Sequence, residues 1–342
     1  MKLLTQSAMA LALMANAAAA EGELVIYHWF EYMPAELLEK FTAETGINVT
    51  MDTFDSNEGM LASLKAGGMG TYDVAVPGDY MVAIMAGEGL LDTIADDELA
   101  NKGNIAPEWA DPAFDPGRMH SIPYQWGSTS FAVDTAAYDG DINTTELLFN
   151  PPAELSGKIN MLDSQGEVMA LASLHMGMPQ CSRDRAQLTA LNDMLQEAKQ
   201  HWASFNSDTA REVLVSGDAS VGMIYDGFSA KAREERDTIK YAFPTQGYVV
   251  WMDNVVLLNE APNRDSAIAF MDFMLVPENI AAVSNYARYA LGVSGAEAYL
   301  DPALATLPEA NPPATAGAGA FIEVCDQETQ AVYDQIWTNL KN

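Results

Sequence analysis

Basic side chains are scarce in this sequence. Its 342 residues hold 17 Lys and Arg against 48 Asp and Glu, a formal net charge of −31. Such a surface repels phosphate, which argues against nucleic acid or an anionic membrane as partner. Cysteine is nearly absent, with Cys181 and Cys325 alone. There is no Cys-x-x-Cys, and His28, His120, His175 and His201 are too scattered for a His-x-x-x-His zinc site, so neither metal nor cofactor is expected. Gly-x-Ser-x-Gly, His-Glu-x-x-His and a Gly-rich phosphate loop are all missing. A secreted hydrolase would need an activated nucleophile, and none is visible. Past the N-terminal region, no segment offers about 18 uninterrupted apolar residues, so no stable membrane insertion is expected.

What is present excludes disorder: 49% of residues are hydrophobic and 19% charged. The length exceeds one comfortable core and points to two lobes or domains. Residues 1–20 have the order of a secretory signal, with Lys2, an apolar stretch over 8–15, and small residues at 17–20. Cleavage is expected after Ala20, leaving a soluble, exported chain. An oxidising compartment permits one long-range disulfide, although nothing in the sequence shows that the two cysteines meet.

Strand-like and helix-like segments then alternate. Residues 23–29 read as a strand. Pro34 opens a helix with Leu37, Leu38 and Phe41 on one face, and Gly46 stops it. Residues 47–54 form a second strand, 57–66 a helix, 72–76 a buried strand closed by Pro77, and 79–87 a helix. The middle of the chain continues the alternation with strand 158–162, helices 167–176 and 184–201, and a short helix at 208–215. Strand 219–225, a charged helix at 229–236 and strands 239–243 and 249–258 follow. The last third is mostly helical, with an Ala-, Pro- and Gly-rich stretch at 307–320 before a helix over 327–340. This order predicts an α/β protein with mainly parallel sheet covered by helices.

In open α/β sheets, ligands bind outside the carboxyl ends of strands. Four such ends, Trp29-Phe30-Glu31-Tyr32, Pro77-Gly78-Asp79-Tyr80, Asp163-Ser164-Gln165-Gly166-Glu167 and Tyr225-Asp226-Gly227, together with Trp251-Met252-Asp253-Asn254, which interrupts the long late strand, collect aromatics and carboxylates between them. Together they describe a box with aromatic walls and acidic ends, which suits a flexible organic ammonium. Carboxylates accept charge-assisted hydrogen bonds worth roughly 1.5–3 kcal/mol each. Aromatic faces hold methylene chains and add about 0.5–2 kcal/mol of cation–π attraction.

Several separated motifs agree with one family. Tyr27-His-Trp29-Phe-Glu-Tyr32, Phe54-Asp-Ser-Asn57-Glu, Tyr72-Asp-Val-Ala-Val-Pro77, Ile122-Pro-Tyr124-Gln-Trp126-Gly, and Phe243-Pro-Thr-Gln-Gly247 through Trp251-Met-Asp253 resemble the periplasmic spermidine/putrescine-binding proteins of polyamine ABC importers. The resemblance runs in order over residues 23–342. It implies an α/β, two-lobed periplasmic-binding-protein fold, a type II clamshell with an interlobe ligand cleft. Lobe 1 would comprise 21–127 plus 252–295, and lobe 2 would comprise 128–251 plus 296–342. It further implies a periplasmic protein, expected to be a monomer, that captures putrescine or spermidine and delivers it to an ABC permease without catalysis.

Carried over position by position, Trp29 and Tyr32 match pocket aromatics on the first lobe, and Tyr80 matches a spermidine-type aromatic. Glu167 matches an acid that grips a terminal ammonium, and Tyr225 stands where the family usually has Trp. Trp251 and Asp253 match a wall aromatic and the acid for an inner or second amine. Tyr289 matches a late pocket tyrosine. Glu31 falls on an acid that can reach the far end of a longer ligand. Some positions depart from the pattern. Phe30 replaces a small hydroxyl residue, and Ser164 stands where spermidine-binding members tend to have a second acid. Asp79 is an extra carboxylate that either compensates or caps its helix. Phe228 stands near a putrescine-type acid, for which Asp226 is close enough to substitute. Diamine or triamine is left open. The alternatives are a quaternary amine, needing aromatics with few acids, and an amino acid, whose carboxylate would call on Arg288.

Overall fold

The structure, a computed structural model, describes residues 22–342; the expected leader over 1–20 lies outside them. The chain opens with β1 (Gly22–Trp29), α1 (Ala35–Thr45), β2 (Ile47–Phe54), α2 (Asn57–Ser63), β3 (Val74–Ala75) and α3 (Asp79–Gly87). Pro34 is the N-cap of α1, and Gly46 ends it in the left-handed region at φ 76°. A long connection leads to β4 (Ser121–Asp134). The second run is α4 (Glu146–Phe149), β5 (Ile159–Met161), α5 (Gln165–Met176), α6 (Arg185–Lys199), β6 (Trp202–Phe205), α7 (Ala210–Ser216), β7 (Val221–Tyr225), α8 (Asp226–Glu235) and β8 (Ile239–Ala242). The chain closes with β9 (Tyr248–Leu257), α9 (Arg264–Met274), α10 (Pro277–Ala287), β10 (Ala290–Leu291), β11 (Gly319–Ala320) and α11 (Gln327–Lys341).

The main strand order is β2-β1-β3-β9-β4-β7-β5-β6. Two parallel triads, β2-β1-β3 and β7-β5-β6, form the flanks. Between them β9 and β4 are antiparallel from Ser121↔Val256 to Thr129↔Val249, and also antiparallel to their outer neighbours β3 and β7. The expected parallel pairing therefore holds in the flanks and fails in the centre. There β4 carries the chain from one flank to the other and β9 carries it back, so the two run in opposite senses. The sequence pattern does not announce β4 because Pro123 and Gly127 lie inside it, and both residues weaken strand patterns. The structure absorbs them with a register shift between Pro123 and Trp126.

Buried apolar side chains segregate with the flanks. Phe131, Ile159, Leu171, Leu191, Val221 and Val249 pack with Tyr333, Ile336 and Leu340 of α11. On the other flank, alternation along the strands fills two faces. Leu24, Ile26, Val255, Phe41 and Phe270 occupy one, while Ala75, Val256, Met60, Leu64 and Met81 occupy the other. The division between flanks falls inside β4, between Tyr124 and Phe131, and inside β9, between Val249 and Trp251.

Cys181 and Cys325 are disulfide-bonded. The bond ties the loop after α5 to the segment entering α11 and closes a span of 144 residues. Cross-links of this kind contribute about 2–4 kcal/mol. Among the described residues, no single helix is long and apolar enough to cross a membrane, and no group of three or more His, Cys, Asp or Glu is placed to hold a metal.

Candidate ligand-binding site

The two flanks meet across a narrow slot of about 60 Å³. From one side come the ends of β1 and β2, Gly78 ahead of α3, and Tyr80. From the other come the first turn of α5, the loop ahead of α7, and Tyr225 at the end of β7. Between them β9 contributes Trp251 and Asp253. Sixteen residues line the slot, and nine are aromatic. Four are carboxylates, Asp55, Glu167, Asp208 and Asp253, and no Lys, Arg or His lines it.

The aromatic walls hold one another in place. Trp29 packs on Phe54 with ring centroids 4.4 Å apart. Tyr289 meets both Tyr32 and Trp251 edge-on at 5.2 Å, and Tyr225 stands perpendicular to Trp251 at 6.0 Å. Trp251 Nε1 donates to Thr129 Oγ1 at 3.0 Å, which fixes the indole against β4. Two glycines make these approaches possible. A Cβ on Gly127 would lie 2.9 Å from the Trp251 ring, and one on Gly227 would lie 2.5 Å from the Tyr289 ring.

Two acids lie deep in this apolar frame. Glu167, in the first turn of α5, is buried, and its Oε2 has no hydrogen-bond partner. Burial, reinforced by Glu58 and Asp79, pushes its carboxyl up to about 8. Asp253 is buried beside the Tyr32 hydroxyl, which makes no well-formed hydrogen bond within the protein. Burial, with the nearby Asp79 and Glu167, holds Asp253 well above the usual carboxylate range. A buried carboxylate is stable as an anion only when donors or a cation compensate it. Asp55 and Asp208 are exposed and sit at the slot's mouth.

Eight of the ten residues anticipated from sequence line the slot: Trp29, Tyr32, Tyr80, Glu167, Tyr225, Trp251, Asp253 and Tyr289. Glu31 and Asp79 do not. The backbone of Glu31 is left-handed at φ 49°, and its carboxylate pairs with Arg211 at 3.1 Å in a separate depression. Arg288 lies in that same depression, 3.3 Å from Glu234, so its guanidinium is not in the slot. Asp79 is the first residue of α3 and accepts from the backbone N–H of Tyr80 at 2.6 Å and of Met252 at 2.8 Å. Its two oxygens tie α3 to β9. Asp226 is likewise held by Ser128 and by the Gly227 N–H, which occupies the carboxylate that could have stood in for an acid at Phe228.

Sequence reasoning did not nominate Phe54, Asp55, Asn57, Ser207, Asp208 or Phe228. Phe54 ends β2 and Asp55 follows it, so the strand-end argument could have reached them. Ser207 and Asp208 follow β6, whose Trp-Ala-Ser-Phe is too short to announce a strand.

A family model described as bacterial extracellular solute-binding protein matches residues 36–313. The chain belongs to this family. This solute-binding protein is 31% identical to the spermidine/putrescine-binding periplasmic protein of Salmonella typhimurium, over 99% of this chain and 97% of the relative. A solved structure from Listeria monocytogenes superposes with a TM-score of 0.87 at 30% identity, covering 93% of this chain and 98% of its own. The spermidine/putrescine ABC transporter substrate-binding protein of Streptococcus pneumoniae superposes with a TM-score of 0.75, also at 30% identity, covering 94% and 98%. The architecture is the two-lobed periplasmic-binding-protein fold, and the slot lies between its lobes.

Proposed function

We propose that this protein captures a polyamine of the putrescine and spermidine class in the interlobe slot and delivers it to an ABC importer. One observation carries the reading: buried, uncompensated carboxylates stand between aromatic walls in a slot that no basic side chain lines. Methylene groups lie against Trp29, Tyr32, Tyr225, Trp251 and Tyr289. Ammonium N–H groups donate to Asp253 and Glu167, with Asp55 and Asp208 at the mouth. Each such bond is worth roughly 1.5–3 kcal/mol, and each ring face about 0.5–2 kcal/mol. The names of the relatives support the same ligand class.

Lobe 1 comprises 21–127 plus 252–295 and lobe 2 comprises 128–251 plus 296–342, with β4 and β9 as the connecting strands. The acids come from both lobes, Asp55 and Asp253 from the first, Glu167 and Asp208 from the second. Closing the cleft without a cation would bring like charges together, so the ligand favours the closed state by compensating them. A quaternary amine has no N–H for Glu167 Oε2, and an amino acid would bring a further carboxylate into an acidic slot. The protein binds without catalysis, acts in the periplasm as a monomer, and is exported by the leader over 1–20. Calorimetric titration with putrescine, cadaverine, spermidine and spermine tests this reading. Saturable one-to-one binding of at least one is expected, and binding of none would overturn it.

A further inference from the structure

On the other side of Tyr80 lies a second chamber of about 460 Å³. Tyr80 lines both spaces. Its hydroxyl donates to Glu58 Oε1 at 2.8 Å, while Glu58 Oε2 is buried with no partner. Helices α2 and α3 form one wall of the chamber, and α5, the disulfide and α11 form the other. Much of its surface is apolar, including Leu61, Met81, Ile84 and Met169. Lys65, the basic residue lining it, is already paired with Glu88 at 2.9 Å.

The carboxylates run as a file from one space to the other. Asp253 and Glu167 stand in the slot, Glu58 beyond Tyr80, and Asp334 in the chamber. Neighbours in the file are close enough to resist each other's ionisation: Glu167 acts on Asp253, Glu58 on Glu167, and Asp334 on Glu58. Asp334 Oδ1 accepts the side-chain amides of Gln165 and Gln330, so it already has donors. Glu58 keeps one oxygen without any. Gly166 packs against the Tyr80–Glu58 pair that separates the two spaces: a Cβ there would sit 3.0 Å from the Tyr80 hydroxyl and 3.3 Å from Glu58 Oε1. Any side chain at that position would press on the pair.

We infer that Glu58 is a specificity-determining residue for ligand length, holding the third ammonium group of a triamine whose arm passes Tyr80 into the chamber. The inference rests on the polyamine reading of the slot. A linear cation with charges separated by methylene segments matches a file of carboxylates separated by apolar and aromatic walls. A diamine is satisfied by the slot's own acids. The competing route leads outward to Asp55 and Asp208, where exposure to water weakens any ion pair.

The test is calorimetric titration of putrescine and spermidine into the wild-type chain, Glu58→Gln, Ala62→Phe and the double variant Asp55→Asn/Asp208→Asn, with thermal melts to verify folding. Glu58→Gln should weaken spermidine binding about tenfold more than putrescine binding, the loss of one charge-assisted bond. Ala62 lies on the exposed rim of the chamber, away from the slot. Its replacement by Phe should weaken spermidine several-fold and leave putrescine unchanged, by narrowing the chamber. Equal effects on both ligands, or loss of the spermidine preference only in the Asp55 and Asp208 variant, would overturn the inference. A wild-type chain that binds putrescine but not spermidine overturns it while leaving the slot reading intact. One that binds neither removes both.

Discussion

The slot and the depression around Glu31 are made of the same kinds of residue, acids beside aromatics at the edges of the cleft, yet their electrostatics are opposite. In the depression the acids are answered by cations of the chain itself. Glu31 pairs with Arg211 at 3.1 Å, Arg211 reaches Glu235 at 3.7 Å, and Arg288 pairs with Glu234 at 3.3 Å. Lys231 stands 4.4 Å over the ring of Tyr286. In the slot, Glu167 Oε2 has no partner, and no basic side chain lines the walls. The lesson is that acid-plus-aromatic composition does not by itself define a cation site. What defines one is an acid whose compensating charge the chain does not supply.

Removing a slot acid should therefore have the largest effect. Truncating one partner of a buried charge pair costs about 2–5 kcal/mol, and each 1.4 kcal/mol is about tenfold in affinity. Asp253→Asn is expected to weaken polyamine binding about a hundredfold, and Glu167→Gln at least about tenfold, in calorimetric titration. If both variants bind like the wild type, the contrast between the two regions collapses and the site lies elsewhere.

The next effect is on pH. Glu167 is held up to about 8 by burial, against 4.5 when unperturbed. An ammonium binds the anionic form, so below about 8 each ligand bound must displace a proton. Affinity should rise with pH between about 6 and 8, by up to roughly tenfold per unit for one linked proton. Calorimetry in buffers of different ionisation enthalpy would read that proton release directly. The folding linkage has a definite sign. The folded chain keeps this proton to higher pH than the unfolded chain does. Without ligand, stability should fall as pH rises from about 4.5 towards 8, and ligand should offset the loss. An affinity flat across this window would mean that the slot acids are compensated, as those of the depression are.

The same contrast explains how much of the site sequence could reveal. Trp29 and Tyr225 were legible because they end strands β1 and β7, and Trp251, inside β9, because a family motif carries it. Glu31 and Asp79 sit in equally suggestive positions, and sequence cannot separate them from Glu167. What separates them is who answers their charge. For Asp79 it is the N–H of Tyr80 next door and of Met252 far along the chain. For Glu31 it is Arg211, brought close only by the meeting of the lobes. The central strand β4 was illegible because Pro123 and Gly127 disguise it, although with β9 it forms the centre of the sheet between the two flanks. The Cys181–Cys325 pairing spans 144 residues, beyond any local pattern.

The smallest expected effect belongs to Glu31, and it is the sharpest check on the comparison. Its partner Arg211 lies in α7, which packs on β7 and β5, so the pair joins the two flanks outside the slot. Their side chains retain 33% and 19% of full exposure, and partly exposed pairs contribute about 0–1 kcal/mol. Glu31→Gln should weaken binding less than about threefold, by the same factor for putrescine, spermidine and spermine, because it touches closure and not the ligand. Raising the salt concentration should shrink even that difference. If instead the variant lost affinity for spermine alone, Glu31 would be meeting the far end of a longer ligand, as the family resemblance implies. The Arg211 pair would then be a resting contact exchanged for the ligand's ammonium, and the depression would count as an extension of the slot.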